Sequence, residues 1–170
     1  MMKLASKWTV LALMMMLITT AGATAQGYTP VIPAENQETV YINQMEIRDG
    51  QIYLSADPIE WYEGAAADKA LLEHEGKNTG LDGAPDGYYI VNNSVQNDVY
   101  QVAPDASVEV QIYDHTGNIE DTDVQWNESI PLAQFEKDFA KKDVLDLSQF
   151  PYHVTLREGK VVKIVQQFIP

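Results

Sequence analysis

The side chains best suited to chemistry lie together in the stretch SADPIEWYEG, which holds three carboxylates and two aromatic rings. Asp57, Glu60 and Glu63 supply the acids, and Trp61 and Tyr62 stand between the last two. Two carboxyl groups about 5 Å or roughly 6.5–9.5 Å apart can cleave a glycosidic bond. Because Glu60 and Glu63 are three residues apart, their carboxylates meet only if this stretch is already helical.

A structural explanation of the same stretch competes with sugar cleavage, and we favour it. Pro58 cannot donate a backbone hydrogen bond and is expected to end a strand, while the alanine-rich sequence from Ala65 predicts a helix. Trp61 is then buried at a strand-to-helix corner, and Glu60 and Glu63 cap or decorate the first helical turn. Sugar binding by the aromatic rings without cleavage is the alternative.

Tyrosines on predicted strands form a second group of candidate binding residues. Tyr88 and Tyr89 are adjacent, so on an alternating strand they point to opposite faces and at least one of them is exposed. Exposed aromatic rings bordered by acids suit a basic protein or a glycan as partner. The candidate ligand-binding residues are therefore Trp61, Tyr62, Tyr88 and Tyr89. Ordinary packing of amphipathic strands is the alternative.

The loop DHTGNIEDTD offers closely spaced oxygen ligands for calcium. Calcium takes about six to eight oxygens, and alternate positions of one loop can surround the ion. The spacing is not that of an EF-hand loop, so a solvated acidic loop is the alternative. The candidate ligands are Asp114, Thr116, Asn118, Glu120, Asp121 and Asp123.

Other familiar chemistries have no pattern in this chain. There is no cysteine, which excludes disulfides, thiolate metal sites and a cysteine nucleophile. His74, His115 and His153 are far apart in sequence and form no zinc-binding pair. No G-x-S-x-G motif is present, and the glycines of TGLDGAPDG precede no Lys-Ser/Thr pair that would hold phosphate.

Two hairpins are predicted from acid-glycine turns. Asp49-Gly50 joins two strands with a two-residue turn, in the register Met45–Leu54 and Ile47–Ile52. Glu158-Gly159 joins the last two strands. For the second hairpin, a type I turn with a glycine bulge predicts the pairs Tyr152–Ile164 and Val154–Val162.

The remaining elements complete a β-rich order. GAAADKALLEHEG and IPLAQFEKDFAKK predict helices, the second with an apolar stripe. YYIVNN predicts a strand, residues 99–102 and 108–113 predict two segments bent at Pro104, and residues 114–129 predict an acidic loop. The order β-β-α-β-β-β-α-β-β predicts an α+β fold: a small antiparallel β-barrel or curled sheet, OB-like in order, with two short helices. An open sheet of cystatin-like or PepSY-like form is the alternative.

The N-terminus predicts export. MMKLASK is basic, an apolar run follows, and ATA offers a cleavage site before Gln26. The run is shorter than the ~20 residues of a membrane span, and an uncleaved N-terminal anchor is the alternative. The expected organisation is a signal peptide over residues 1–25, a flexible leader over residues 26–38 and a single β-rich domain over residues 39–170.

The charge of the chain bears on its partners. It has 11 basic and 25 acidic residues, a net charge of −14. Such a chain repels nucleic acid and, after signal cleavage, is expected to have no membrane contact; it favours cations or a basic partner. Solubility alone is the competing explanation of the charge.

Three stretches resemble a known group of proteins. DPIEWYEG, DGYYIVN and the ending EGKVVKIVQQFIP are similar to small uncharacterised secreted proteins and domains of Gram-positive bacteria. The resemblance spans most of the chain after residue 25. It implies export and a single domain, and it brings no activity or catalytic residue with it.

The expected function is a secreted, acidic, non-catalytic binding module with no resident cofactor. A calcium-supported cell-wall or surface module is one alternative. A small secreted hydrolase or protease inhibitor is another. The oligomeric state does not follow from the sequence.

Overall fold

The part of the chain that the structure describes forms seven strands, most of them with alternating apolar residues, and two short helices. A computed structural model describes residues 30–32, 34–76, 80–93 and 95–169; the predicted signal peptide and cleavage site lie outside these ranges. The elements in order are β1 (Gln37–Arg48), β2 (Gln51–Glu63), α1 (Ala65–His74), β3 (Tyr88–Val91), β4 (Asp98–Ile112), β5 (Val124–Ile130), α2 (Leu132–Phe139), β6 (Pro151–Arg157) and β7 (Lys160–Gln166).

Five of the strands close into a barrel. The sheet order is β3-β2-β1-β6-β7-β4-β5, and an additional pairing of β2 with β4 closes the ring through β1, β2, β4, β6 and β7. β4 and β7 run parallel, and the other pairs are antiparallel. The prediction of a small α+β barrel of OB-like order with two short helices is confirmed. β3 and β5 extend the sheet beyond the barrel.

Helix α2 lies between β5 and β6 in the chain and contributes to the barrel core. Phe135 and Phe139 of its predicted apolar stripe are buried, and both rings lie close to Tyr152, with centroids 5.6 and 6.4 Å away. Tyr152 is fully buried, and its hydroxyl donates to the carbonyl of Leu147 at 2.7 Å. The buried hydroxyl is therefore satisfied, as burial of a polar group requires.

The first hairpin has the predicted register. Met45 pairs with Leu54 and Ile47 with Ile52. Asp49 and Gly50 both have positive φ, 50° and 76°, which is the backbone of a type I′ turn.

The register of the second hairpin was predicted wrongly. Val154 pairs with Ile164, and Tyr152 pairs with Gln166. Glu158 and Gly159 both have positive φ, so the turn is the tighter two-residue type. A register shift between Thr155 and Leu156 then moves the pairing of the rest of β6 along β7. Neither the two-residue turn nor this shift was part of the prediction.

Strands β4 and β5 also differ from the prediction. The two segments expected on either side of Pro104 are one continuous strand, β4. The second half of the predicted acidic loop is strand β5, which pairs with β4 from Val108 to Ile112. β5 reads VQWNESI, too polar to show an alternating apolar pattern. The sequence predicted seven strands and the described residues also form seven, but the two sets do not consist of the same segments.

Strand β2 does not end at Pro58, contrary to the prediction. It continues to Glu63. The neighbour of β2 on the side away from β1 changes along its length: β4 pairs with residues 53–56 and β3 with residues 60–63. Pro58 lies in the gap between these two ladders, where the proline interrupts neither of them.

Strand β1 begins at Gln37, within the range 26–38 that the sequence predicts as a flexible leader. Asn36 is already tied to β6: its carbonyl accepts from the Leu156 backbone at 2.7 Å, and its side chain donates to the Leu156 carbonyl at 3.1 Å. Within the described ranges, no helix is long and apolar enough to cross a membrane.

Candidate functional site

The end of β2 leaves the barrel and forms a two-stranded ribbon with β3. Because side chains alternate along a strand, this ribbon has two distinct faces. On one face Trp61 is half-buried and stacks on Tyr88, with ring centroids 4.9 Å apart and planes 12° apart. The expectation that Trp61 is buried at a strand-to-helix corner is therefore wrong, since Trp61 lies on the strand and keeps part of its surface exposed.

The opposite face of the ribbon carries Tyr62 and Tyr89. The Tyr62 hydroxyl donates to Glu60, and the Tyr89 hydroxyl donates to Glu75, just after α1, at 2.9 Å. These bonds are the main reason that the pKa of each tyrosine is raised. The four predicted binding residues thus form two pairs on opposite faces, as the alternation of Tyr88 and Tyr89 predicted.

Glu60 and Glu63 are separated by the same alternation. Glu63 shares the Trp61 face, where its Oε1 accepts from the indole nitrogen at 3.0 Å. Glu60 lies on the Tyr62 face. The two carboxylates therefore do not form the acid/base pair of a glycosidase. Neither caps the helix, because α1 begins after Gly64 without a side-chain cap.

A cavity of about 430 Å³ lies beside the Trp61 face. It is within the range of small-ligand sites, roughly 300–1,000 Å³. Its lining combines the Trp61 ring with polar groups from distant parts of the chain. These include Thr39, Tyr62, Glu63, His153 and Gln167.

The polar groups of the cavity form one hydrogen-bonded chain. His153 Nδ1 lies 3.0 Å from the Thr39 hydroxyl, and His153 Nε2 lies 2.9 Å from Gln167 Oε1. The Gln167 amide nitrogen donates to the Phe168 carbonyl at 2.9 Å and contacts Glu63 Oε1 at 3.4 Å. Since Gln167 presents its oxygen, the proton of His153 is on Nε2, and Nδ1 accepts from Thr39.

His153 is neutral in this arrangement. It is buried, and burial lowers its pKa by more than the Gln167 bond and the charge of Glu63 raise it. The neutral ring satisfies both of its partners, one as donor and one as acceptor. The network therefore holds the side chains of Thr39, His153 and Gln167 in place at the cavity. The lowered pKa of His153 disfavours a positive charge on its imidazole ring at neutral pH.

The loops that usually hold ligands in OB barrels are minimal in this chain. Those loops join the first barrel strand to the second and the fourth to the fifth. Here they are the two-residue turns between β1 and β2 and between β6 and β7. The cavity instead lies against β1, β6 and the ribbon end of β2, which is a different part of the barrel surface.

The predicted calcium ligands are only partly brought together. Asp121 accepts from the Thr116 hydroxyl, and Asn118 donates to Thr116 at 2.9 Å. Asp114 is buried and accepts from the Gly117 backbone. No contact links Glu120 or Asp123 to these side chains among the described residues, and no group of three or more acids and histidines there could hold a metal. Calcium binding remains an expectation from the sequence.

His115 ties the acidic loop to β5. Its Nδ1 is 2.8 Å from the Asp121 carbonyl, and its Nε2 is 3.1 Å from Glu128. Both partners accept only, so both bonds form only when the ring carries two protons. Burial lowers the pKa of His115, but the bonds to Glu128 and Asp121 and the nearby acidic charges outweigh it, and the pKa is raised.

The hydrogen-bonded residues Thr39, His153 and Gln167 of the cavity were not predicted as site residues from the sequence. One signal was available for His153. Tyr152 and Val154 occupy the core face of β6, so the histidine between them must lie on the outer face.

The chain matches no protein-family model, no curated protein and no solved structure.

Proposed function

We propose that the protein is a secreted, acidic, non-catalytic binding module whose ligand site is the cavity beside Trp61. The observation that carries the proposal is the position of Trp61. Its half-buried ring is held by Tyr88 on one side and by Glu63 at its edge, and it borders a cavity of ligand size. Rigid aromatic rings next to fixed polar groups are typical of recognition sites.

Two features favour binding over catalysis. The acids that the sequence offered as a catalytic pair point away from each other, as their separate partners Tyr62 and Trp61 show. The buried histidine has both ring nitrogens engaged with other side chains, so it is a poor general base for a bound substrate. Export is supported by the N-terminal sequence pattern.

A capture experiment tests the proposal. The full chain is immobilised and exposed to the culture medium and to the cell-wall fraction of the cells that export it. Trp61→Ala is compared with the wild type, and Tyr89→Phe on the opposite face is the matched control. Circular dichroism checks that each variant is folded.

We expect a ligand that is retained by the wild type and by Tyr89→Phe and is lost from Trp61→Ala. Equal retention of every ligand by folded Trp61→Ala would place the binding surface elsewhere and overturn the proposal.

A further inference from the structure

We propose that the cavity binds the guanidinium group of an arginine presented by a basic partner protein. This inference rests on the proposed function and specifies its ligand. A glycan, the other partner class that exposed aromatic rings accept, is treated as an outcome of the test.

The first argument is the charge of the cavity. Among the described residues that line it, Glu63 is the only acid, and there is no lysine or arginine. The one histidine, His153, has its pKa lowered by burial, which disfavours a positive charge on its ring. No described lysine or arginine forms an ion pair with Glu63. A carboxylate that no described cation of its own chain neutralises attracts a cation from a ligand.

The second argument is the geometry around Glu63. Its carboxylate is exposed and bonded to the edge of the Trp61 ring, so a flat aromatic surface and an anion are adjacent. A guanidinium group is planar, stacks on aromatic rings and donates two parallel hydrogen bonds to a carboxylate. A lysine ammonium group can use the charge but not the planar stacking, so arginine fits better.

The third argument is the long-range field. With a net charge of −14, the chain attracts basic proteins from a distance and speeds their encounter. The field alone gives no specificity, because it acts on every cation. Glu63 and Trp61 supply the local contacts that select one side chain.

A fluorescence titration tests the inference. The chain contains three tryptophans, so the double substitution Trp8→Phe and Trp126→Phe leaves Trp61 as the reporter. The probes are the uncharged-end peptides acetyl-Gly-Gly-Xaa-Gly-Gly-amide, with Xaa as arginine, lysine or citrulline, and the neutral glycan chitohexaose. Citrulline is the matched control, because it keeps the shape of arginine without the charge.

We expect the arginine peptide to change Trp61 fluorescence saturably, with a Kd about tenfold below that of the citrulline peptide, as for one charge-assisted contact. Glu63→Gln should reduce that ratio to less than about twofold. Glu60→Gln, on the opposite face, should leave it unchanged.

Three results would overturn the inference. Equal affinity for the arginine and citrulline peptides would exclude recognition of charge. If the arginine preference persists in Glu63→Gln, the preference comes from the net negative charge of the whole chain and not from Glu63. Saturation by chitohexaose with no arginine preference would leave the cavity as a glycan site, so the proposed function would stand while the inference fails.

Discussion

The indole nitrogen of Trp61 donates to Glu63 Oε1 at 3.0 Å, and the two residues lie on one face of strand β2. Residues two apart on a strand share a face, so this bond is possible only because β2 continues beyond Pro58. The bond orients the ring at its edge while Tyr88 supports it from below. An aromatic surface and an anion are thereby fixed next to each other.

Replacing Trp61 should cost less stability than replacing a core aromatic residue. A fully buried tryptophan costs roughly 3–5 kcal/mol on truncation to alanine. Since Trp61 is half-buried, we expect Trp61→Ala to lower the free energy of unfolding by about 1–2 kcal/mol. Urea denaturation measures this value, and a loss above about 3 kcal/mol would show that the ring belongs to the core.

His153 should make the protein less stable in acid. Its pKa in the folded state is lowered from the ordinary value of 6.5, chiefly by burial. A group of this kind contributes stability that is present above pH 6.5 and is lost as the pH falls through its folded pKa. NMR titration of the His153 ring checks the direction, with assignment from His153→Gln, and a midpoint above 6.5 would contradict the buried neutral ring.

His115 should change the stability of the protein with pH in the direction opposite to that of His153. Burial lowers the pKa of His115, but the bonds to Glu128 and to the Asp121 carbonyl raise it by more. The pKa in the folded state therefore lies above 6.5. Its contribution to stability is full below pH 6.5 and is lost as the pH rises through the folded pKa. The protection factors of residues 114–123, which are exchange rates corrected for the intrinsic pH dependence of amide exchange, should therefore fall as the pH rises. His115→Gln should remove that fall in protection, whereas the matched control His74→Gln should keep it.

The turn between β6 and β7 offers a pair of substitutions with opposite effects. Gly159 has φ 74° and Glu158 has φ 52°, a backbone that glycine and asparagine adopt more readily than other residues. Gly159→Val should lower the free energy of unfolding by about 1 kcal/mol or more. Glu158→Asn should raise it by a few tenths of a kcal/mol. Thermal melting measures both effects. An unchanged melting temperature for Gly159→Val would contradict the positive φ of Gly159 in this turn.

Features set by nearby residues were predicted well from the sequence. The Asp49-Gly50 turn fixed the first hairpin register because a two-residue turn leaves one pairing. The apolar stripe of α2 correctly placed Phe135 and Phe139 in the core. The alternation of Tyr88 and Tyr89 correctly separated the two faces of the ribbon.

Features set by distant residues were not predicted. Pro58 is tolerated in β2 because two different strands pair on either side of it, which no local pattern reveals. His153 meets Thr39 across 114 positions of sequence, and Gln167 joins them from beyond the last strand. The cavity therefore forms only when the barrel brings these distant residues together. Of its lining, only the aromatic residues Trp61 and Tyr62 were predicted as binding residues from the sequence.

The most direct test of the ligand site is an NMR map of binding on the isotopically labelled full chain. The arginine peptide and chitohexaose are added in separate titrations, and the indole resonance of Trp61 is assigned from Trp61→Phe. We predict that the largest shifts fall on the Trp61 indole, the Gln167 side-chain amide and the Thr39 backbone. Shifts confined to Tyr89 or residues 114–123, with the Trp61 and Gln167 signals unmoved by either probe, would contradict the assignment of the cavity as the binding site.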